Sequence, residues 1–314
     1  MRVVFLGSGA FAVASLEALI GSDHEVAALV TQPDRGRGRG RALASPPTKA
    51  VAEAHGIPVL QPERVREPEA QDALRGLAPD LQVVVAFGQI LPRSVIDIAP
   101  RGTVNLHASL LPKLRGAAPV QWAIARGETQ TGVTTMLIDE GLDTGPMLLW
   151  RPTPIGPEET TAELEPRLSR LGAELLLDTL RGLADGSLTP VPQDPARATK
   201  APILTKEDGR IDWERPAREL HARIRGFFPW PGCFALAPDG RTLKVLKARL
   251  VDDGSPPPAG APGEVLVAGP EGIVMCCGEG SRLRLVEVQP ESRRPMPAAA
   301  FAAGARVAPG ARLG

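Results

Sequence analysis

Short apolar runs alternate with helix-spaced segments through the first half of the chain. Arg2–Leu6 is a strand-like run ending in Gly7-Ser8-Gly9-Ala10. Phe11–Gly21 follows, with apolar residues at Phe11, Ala14, Leu16, Leu19 and Ile20, the spacing of one helix face. Glu25–Val30 predicts a second strand, Thr48–His55 a helix and Ile57–Leu60 a short strand. Leu81–Phe87 is almost wholly apolar, as a strand buried on both faces is. Thr103–His107, Val133–Ile138 and Met147–Trp150 predict more strands, Pro119–Ala125 a helix and Thr161–Leu183 a long amphipathic helix. This alternation implies βαβ units and a mostly parallel sheet, a Rossmann-like α/β domain over residues 1–188.

The pattern then changes. Thr189–Pro202 holds four prolines and no periodicity, so residues 189–205 read as a linker. Beyond it come short β-like runs at Cys233–Leu236, Leu243–Leu250, Gly263–Val267, Gly272–Cys276 and Leu283–Val288, parted by turn clusters. Five short strands predict a small OB-like β-barrel over residues 206–314.

Composition sharpens this picture. The 314 residues carry 36 basic and 36 acidic side chains, which alone argues against a polyanionic partner. By segment the total conceals a polarity: residues 1–188 sum to −4 and residues 189–314 to +4. Arg35, Arg37, Arg39 and Arg41 alternate with Gly36, Gly38 and Gly40 in a long polar loop. Arginine offers bidentate phosphate contacts, so this stretch reads as a basic arm for a polyanion or as a solvated loop without a partner. No apolar run approaches a membrane span, and the N-terminus shows no signal-peptide pattern. Three cysteines, two of them adjacent, lack disulfide or metal spacing, which points to a reducing, cytoplasmic setting. No metal site is predicted, and a monomer is expected.

Two stretches bear chemistry. Gly7-Ser8-Gly9-Ala10-Phe11-Ala12 matches G-x-G-x-x-A between strand and helix, a dinucleotide fingerprint that also serves any tight strand-to-helix turn. With the arginines nearby, it admits an NADP-dependent dehydrogenase as an alternative. More informative is Asn105-Leu106-His107, which holds the only asparagine of the chain. Two apart on a strand, Asn105 and His107 share a face. An amide can donate to a developing oxyanion, and an imidazole can carry a proton near neutral pH. The turn Asp139-Glu140-Gly141-Leu142-Asp143-Thr144-Gly145 offers carboxylates that could meet His107, though spacing alone does not choose among them.

Ser109-Leu110-Leu111-Pro112-x-x-Arg115-Gly116-x-x-Pro119, behind Asn105-x-His107 and ahead of Gly141-Leu142-Asp143-Thr144-Gly145, resembles the 10-formyltetrahydrofolate-dependent formyltransferases. The basic arm, Ile211-Asp212-Trp213 and Phe228-Pro229-Trp230-Pro231 resemble members that formylate methionine on initiator tRNA. The resemblance covers essentially the whole chain. It implies Asn105, His107 and Asp143 as catalytic residues, and a folate site at Ser109, Leu110, Leu111, Pro112, Phe87 and Gly88. It further implies tRNA contacts at Arg35, Arg37, Arg39, Arg41 and Lys206, with 10-formyltetrahydrofolate as co-substrate and initiator methionyl-tRNA as partner. An amino-sugar formyltransferase is the alternative within the same chemistry.

Overall fold

The computed structural model describes residues 1–37, 42–251 and 260–314. In chain order the elements are β1 (Arg2–Gly7), α1 (Val13–Ile20), β2 (Glu25–Val30), β3 (Arg35–Arg37), β4 (Ala42–Ala44), α2 (Pro47–Ala54), β5 (Val59–Leu60), α3 (Pro68–Gly76), β6 (Leu81–Val85), α4 (Arg93–Ile96), β7 (Thr103–His107) and α5 (Pro119–Ala125). Then follow β8 (Gln130–Leu137), β9 (Met147–Pro154), α6 (Thr161–Asp185), α7 (Ala217–Gly226), β10 (Cys233–Leu236), β11 (Thr242–Leu250), β12 (Val265–Gly269), β13 (Gly272–Cys276), β14 (Arg282–Pro290), β15 (Met296–Pro297) and α8 (Ala298–Ala305).

These elements form two compact units, each built from three stretches of chain. The first comprises Met1–Pro119, Thr131–Pro154 and Glu165–Ala201, the second Val120–Gln130, Ile155–Leu164 and Pro202–Gly314.

The first unit holds a seven-stranded sheet in the order β5-β2-β1-β6-β7-β8-β9. Strands β5, β2, β1, β6 and β7 are parallel and β8 is antiparallel to β7. Every residue of β6 is buried, which its run of valines suits. On one face Val4, Leu6, Val30, Val84 and Phe87 pack with Leu74 of α3 and Val95 of α4. Gln82 is the polar exception within β6. Its Nε2 donates to Val95 O and Thr103 Oγ1 at 2.8 and 2.9 Å, tying α4 to the sheet. On the other face Gly172 of α6 lies against Leu106. A Cβ at position 172 would stand 2.7 Å from Leu106 Cδ2.

In the second unit, β10-β11-β14-β13-β12 form an antiparallel sheet with β15 beside β14. Register shifts in β11 and β12 bend the strands as bulges do. The C-terminal residues bridge the two outer strands. Gly314 N donates to Leu236 O of β10, and Val265 N of β12 donates to Ala311 O, at 2.9 and 2.8 Å. The same unit packs α7 on α5: the Trp122 and Phe227 rings meet edge-on at 5.4 Å. A Cβ at Gly226 would stand 2.6 Å from Ala125 N and 2.7 Å from Gln121 O. Thr161 Oγ1 donates to Gly226 O, and Arg225 Nη1 donates to Glu159 O, at 2.7 and 3.0 Å.

The structure adds elements that the sequence pattern did not predict. Helix α3 buries Leu74 alone, so it carries no apolar stripe, and α8 is alanine-rich on all sides. The base of the basic arm, read as part of a polar loop, is a two-stranded ribbon in which Arg35 pairs with Ala44 and Arg37 with Ala42.

Cys233, Cys276 and Cys277 are unpaired and buried. Burial pushes the Cys233 and Cys277 thiols up to about 12, and thiolates are the reactive form. Iodoacetamide at pH ~8 should therefore leave the folded chain unmodified by mass spectrometry and label all three cysteines in urea. Rapid labelling of the folded chain would contradict the packing.

Candidate functional site

Val104 and Leu106 of β7 are buried, as are Thr103 and His107, but Asn105 at its centre is only half-buried. β7 has strand neighbours on both sides, β6 and β8, so exposure of its middle residue means a hollow over that face. The registers Val84↔Asn105 and Asn105↔Met136 place the asparagine between two buried strands. Its side chain makes no hydrogen bond among the described residues.

His107 is 6% exposed, and both of its ring nitrogens face acceptors. Nε2 lies 2.9 Å from Leu114 O. A carbonyl only accepts, so Nε2 carries the proton of that bond. Nδ1 lies 3.7 Å from Asp143 Oδ2, beyond hydrogen-bond length. The same carboxylate oxygen accepts from Gly116 N at 2.7 Å.

Of the acids in the 139–143 turn, the fold brings Asp143 to His107. Asp139 instead shapes the turn, accepting from Gly141 N and Thr144 Oγ1 at 3.0 and 2.6 Å. Ala86, Leu114 and Asp143 all have left-handed φ, at 47°, 59° and 53°. For alanine and leucine this is costly, on the order of 1 kcal/mol or more each. Ala86 directly follows β6, and Leu114 and Asp143 lie in the two loops that face the ring nitrogens of His107, so the strain sits beside the candidate site and points to function.

The Ser109–Pro112 loop is pinned from below. Thr134, opposite His107 on β8, donates from Oγ1 to Ser109 O and accepts from Leu111 N, at 2.7 and 3.2 Å. Ser109 Oγ donates to Lys113 O at 2.7 Å. Leu111 and Pro112 are buried while Leu110 is half-buried. Phe87 is placed differently: its ring is in the core and 2% exposed. Its carbonyl accepts from Ser8 Oγ and Gln32 Nε2 at 3.2 and 3.1 Å. Gly88 is exposed with φ +81°. A Cβ there would meet only Gln32 Nε2 at 3.6 Å, so another molecule can approach its backbone closely.

The glycine fingerprint has other work. Ser8 N and Gly9 N both donate to Ala86 O at 3.3 Å, at the point where strand order reverses between β1 and β6. A dinucleotide needs such amides free for its phosphates, so this geometry disfavours the dehydrogenase alternative.

Among the cationic residues, Arg35 is exposed and lies 3.6 Å from Glu63, and Lys206 is exposed in the second unit. Only the backbone of Arg37 is described, and Arg39 and Arg41 lie outside the described residues. Among the described residues no group of three His, Cys, Asp or Glu is placed to hold a metal ion. No helix among them is long and apolar enough to cross a membrane.

Three contributors escaped the sequence pattern: the Leu114 carbonyl, the Gly116 amide and Gln193. Gln193 accepts from Arg115 Nε and Nη2 at 3.0 and 2.8 Å. It donates to Asp143 O and Gly145 O at 2.9 and 2.8 Å. No local signal marks a lone glutamine among prolines.

A sequence model of the formyl transferase family matches residues 1–180, and one of the formyl transferase C-terminal domain matches 203–306. A methionyl-tRNA formyltransferase of Citrifermentans bemidjiense is 52% identical over all of this chain and 96% of its own length. One of Solibacter usitatus is 54% identical over all of this chain and 99% of its own. Among solved structures, the sugar 3N-formyl transferase WlaRD, crystallised with dTDP and 5-N-formyl-THF, superposes with a TM-score of 0.69 at 17% identity, over 94% of this chain and 99% of that one. HypX of Aquifex aeolicus in complex with tetrahydrofolic acid gives 0.63 at 19%, over 96% of this chain and 47% of that one. At such identities these two likenesses concern the fold. Identity of about half to relatives matched from end to end carries further, and the chain belongs to the methionyl-tRNA formyltransferase family.

Proposed function

We propose that this chain transfers the formyl group of 10-formyltetrahydrofolate to the α-amino group of methionine on initiator methionyl-tRNA, with Asn105, His107 and Asp143 as the reacting set. The observation that carries the residue assignment is the uncommitted Asn105 amide in a hollow, on the same strand face as a histidine that faces a carboxylate.

Attack of the neutral amine on the formyl carbon forms a C–N bond and leaves an oxyanion. Asn105 Nδ2–H donates to that oxygen. The Nε2–H of His107 is spent on Leu114 O, so Nδ1 is the nitrogen that works. Its 3.7 Å separation from Asp143 leaves room for a protonated Nδ1 to serve as a second donor. Asp143, held by Gly116 N–H, offsets the charge that the ring gains. When the intermediate collapses, the bond from the formyl carbon to folate N10 breaks. N10 takes up a proton and the former amine gives one up, with His107 and Asp143 handling the transfer. Such fixed donors act on charge present only in the transition state.

For the folate, Leu110, Leu111 and Pro112 offer an apolar wall pinned by Thr134, and Gly88 permits close backbone approach. Ser109 shapes that wall and Phe87 supports it from the core. The tRNA phosphates are met by Arg35, Arg37, Arg39, Arg41 and Lys206, with affinity coming chiefly from charge. The chain acts as a monomer in the cytoplasm.

The test is formylation of charged initiator tRNA, charged elongator tRNA and a nucleotide-linked amino sugar, with 10-formyltetrahydrofolate as donor. Initiator tRNA should be the good substrate, and rapid formylation of the sugar would overturn the reading. If the five cations each meet one phosphate, log affinity for tRNA should fall against log salt with a slope of about −4. A flat dependence would remove their role.

A further inference from the structure

Three consecutive residues hold both His107 and Asp143. Leu114 O accepts from His107 Nε2, and Gly116 N donates to the Asp143 carboxylate. Between them, the Arg115 guanidinium binds Gln193 Oε1 through two nitrogens. The amide nitrogen of Gln193 then donates to Asp143 O and Gly145 O, at 2.9 and 2.8 Å. A closed circuit results: the backbone of Asp143 is tied through Gln193 to Arg115, and its carboxylate to the next residue, Gly116.

Gln193 is half-buried while Pro192, Asp194 and Pro195 beside it are exposed. The remainder of its segment runs along the same loop. Leu114 N donates to Thr199 Oγ1 and Arg115 N to Thr199 O, both at 2.8 Å. Ala201 N donates to Arg115 O at 2.7 Å.

We propose that Gln193 is a positioning residue for formyl transfer: it holds the Asp143 turn against Arg115 and so sets the carboxylate's place beside His107. The proposal rests on the reading that Asp143 and His107 serve the reaction. The physical need is plain. Asp143 sits at φ +53°, a conformation that persists only where surroundings over-determine it. Gln193 grips the chain on both sides of Thr144. A neutral amide suits the place because it must accept from a cation on one side and donate to two carbonyls on the other.

Gln193→Glu isolates the donor half. It matches glutamine in size and keeps an acceptor for Arg115, but turns an oxygen toward Asp143 O and Gly145 O. The measurement is single-turnover formylation of charged initiator tRNA at saturating 10-formyltetrahydrofolate, with KM for both substrates. Gln193→Glu should slow the chemical step on the order of 100-fold and leave both KM values within about threefold, since groups that only position act on the rate. Combined with Asp143→Asn, it should add almost nothing to the loss that Asp143→Asn causes alone, because the two act as one unit.

A near-normal rate in Gln193→Glu beside an impaired Asp143→Asn overturns the role of Gln193 and leaves the catalytic reading standing. Near-normal turnover in Asp143→Asn overturns both. Multiplicative losses in the double variant, or a raised folate KM with the rate unchanged, assign Gln193 to general structure or to the binding wall and overturn the proposal. Gln193→Met removes donor and acceptor together without introducing charge. It decides the matter by the same criteria if the Glu variant fails to bind folate.

Discussion

Asn105→Ala lowers kcat by about 100- to 1,000-fold, on the order of 3 to 4 kcal/mol of barrier, and leaves the stability of the chain almost unchanged. Both halves of this expectation come from one fact: the Asn105 side chain is half-buried and has no hydrogen-bond partner among the described residues. Its removal orphans no group among the described residues, and a half-buried side chain leaves water access to the space it vacates. Under the proposed mechanism, what it removes is a donor aimed where charge appears during reaction. His107→Ala should differ in kind. It too lowers kcat by orders of magnitude, but it strips Leu114 O of its donor in a buried setting. An unpaired buried carbonyl costs about 1–3 kcal/mol. Turnover with charged initiator tRNA, set beside urea unfolding of each variant, separates the two cases. Near-normal kcat in Asn105→Ala would remove the asparagine from the reaction.

The second large effect is expected at Gly145, a position outside the residues assigned to substrate contact. A Cβ there would stand far inside van der Waals contact of the Leu137 carbonyl oxygen, 2.9 Å from its carbon and 3.3 Å from Asp139 N. All three atoms are backbone, so no rotamer change relieves the clash. The turn itself must lift away from β8, and Asp143, two residues back, moves with it. Gly145→Ala should cost about 3 kcal/mol of stability and most of the turnover of whatever folds. Gly127 makes the natural comparison. It also resists substitution, having φ +73°, but a Cβ there meets nothing within 4 Å. Gly127→Ala should therefore cost only about 1 kcal/mol and leave turnover intact. Urea midpoints and initial rates of the two variants test the contrast. Equal behaviour would show that conformational preference, not space, governs the Asp143 turn.

The parts of this molecule legible in its sequence are those whose cause is local. β6 announces itself by its valines, β7 by a period-two pattern that separates Val104 and Leu106 from Asn105 and His107. That face-sharing made the Asn–His pair readable before any coordinates. Choosing among Asp139, Glu140 and Asp143 was beyond spacing, because the choice depends on how the turn folds back: Asp139 is consumed by its own loop, and Asp143 is left to face His107. The glycine fingerprint misleads for the same reason. Ser8 and Gly9 amides suited to phosphate are spent on Ala86, a partner distant in sequence. Gln193 lies in a stretch whose prolines and polarity read as a tether, and its four bonds all go to residues at least 48 positions away. Helices α3 and α8 were missed because one buries a single leucine and the other is uniformly apolar.

The way each unit is stitched from separate stretches bears on inheritance. Val120–Gln130 and Ile155–Leu164 are interleaved in sequence with stretches of the first unit but belong to the second. Gly226 fits against the α5 backbone, and Thr161 and Glu159 are bonded to the end of α7. A recombination crossover near residue 202 would therefore transplant the C-terminal part without the two short pieces that it packs on. An exchanged segment would have to present a glycine at 226 and an arginine at 225 to a helix and turn from another parent. Descent by swapping whole C-terminal parts is thus penalised, and lineages are expected to change α5, the 155–164 stretch and α7 in concert.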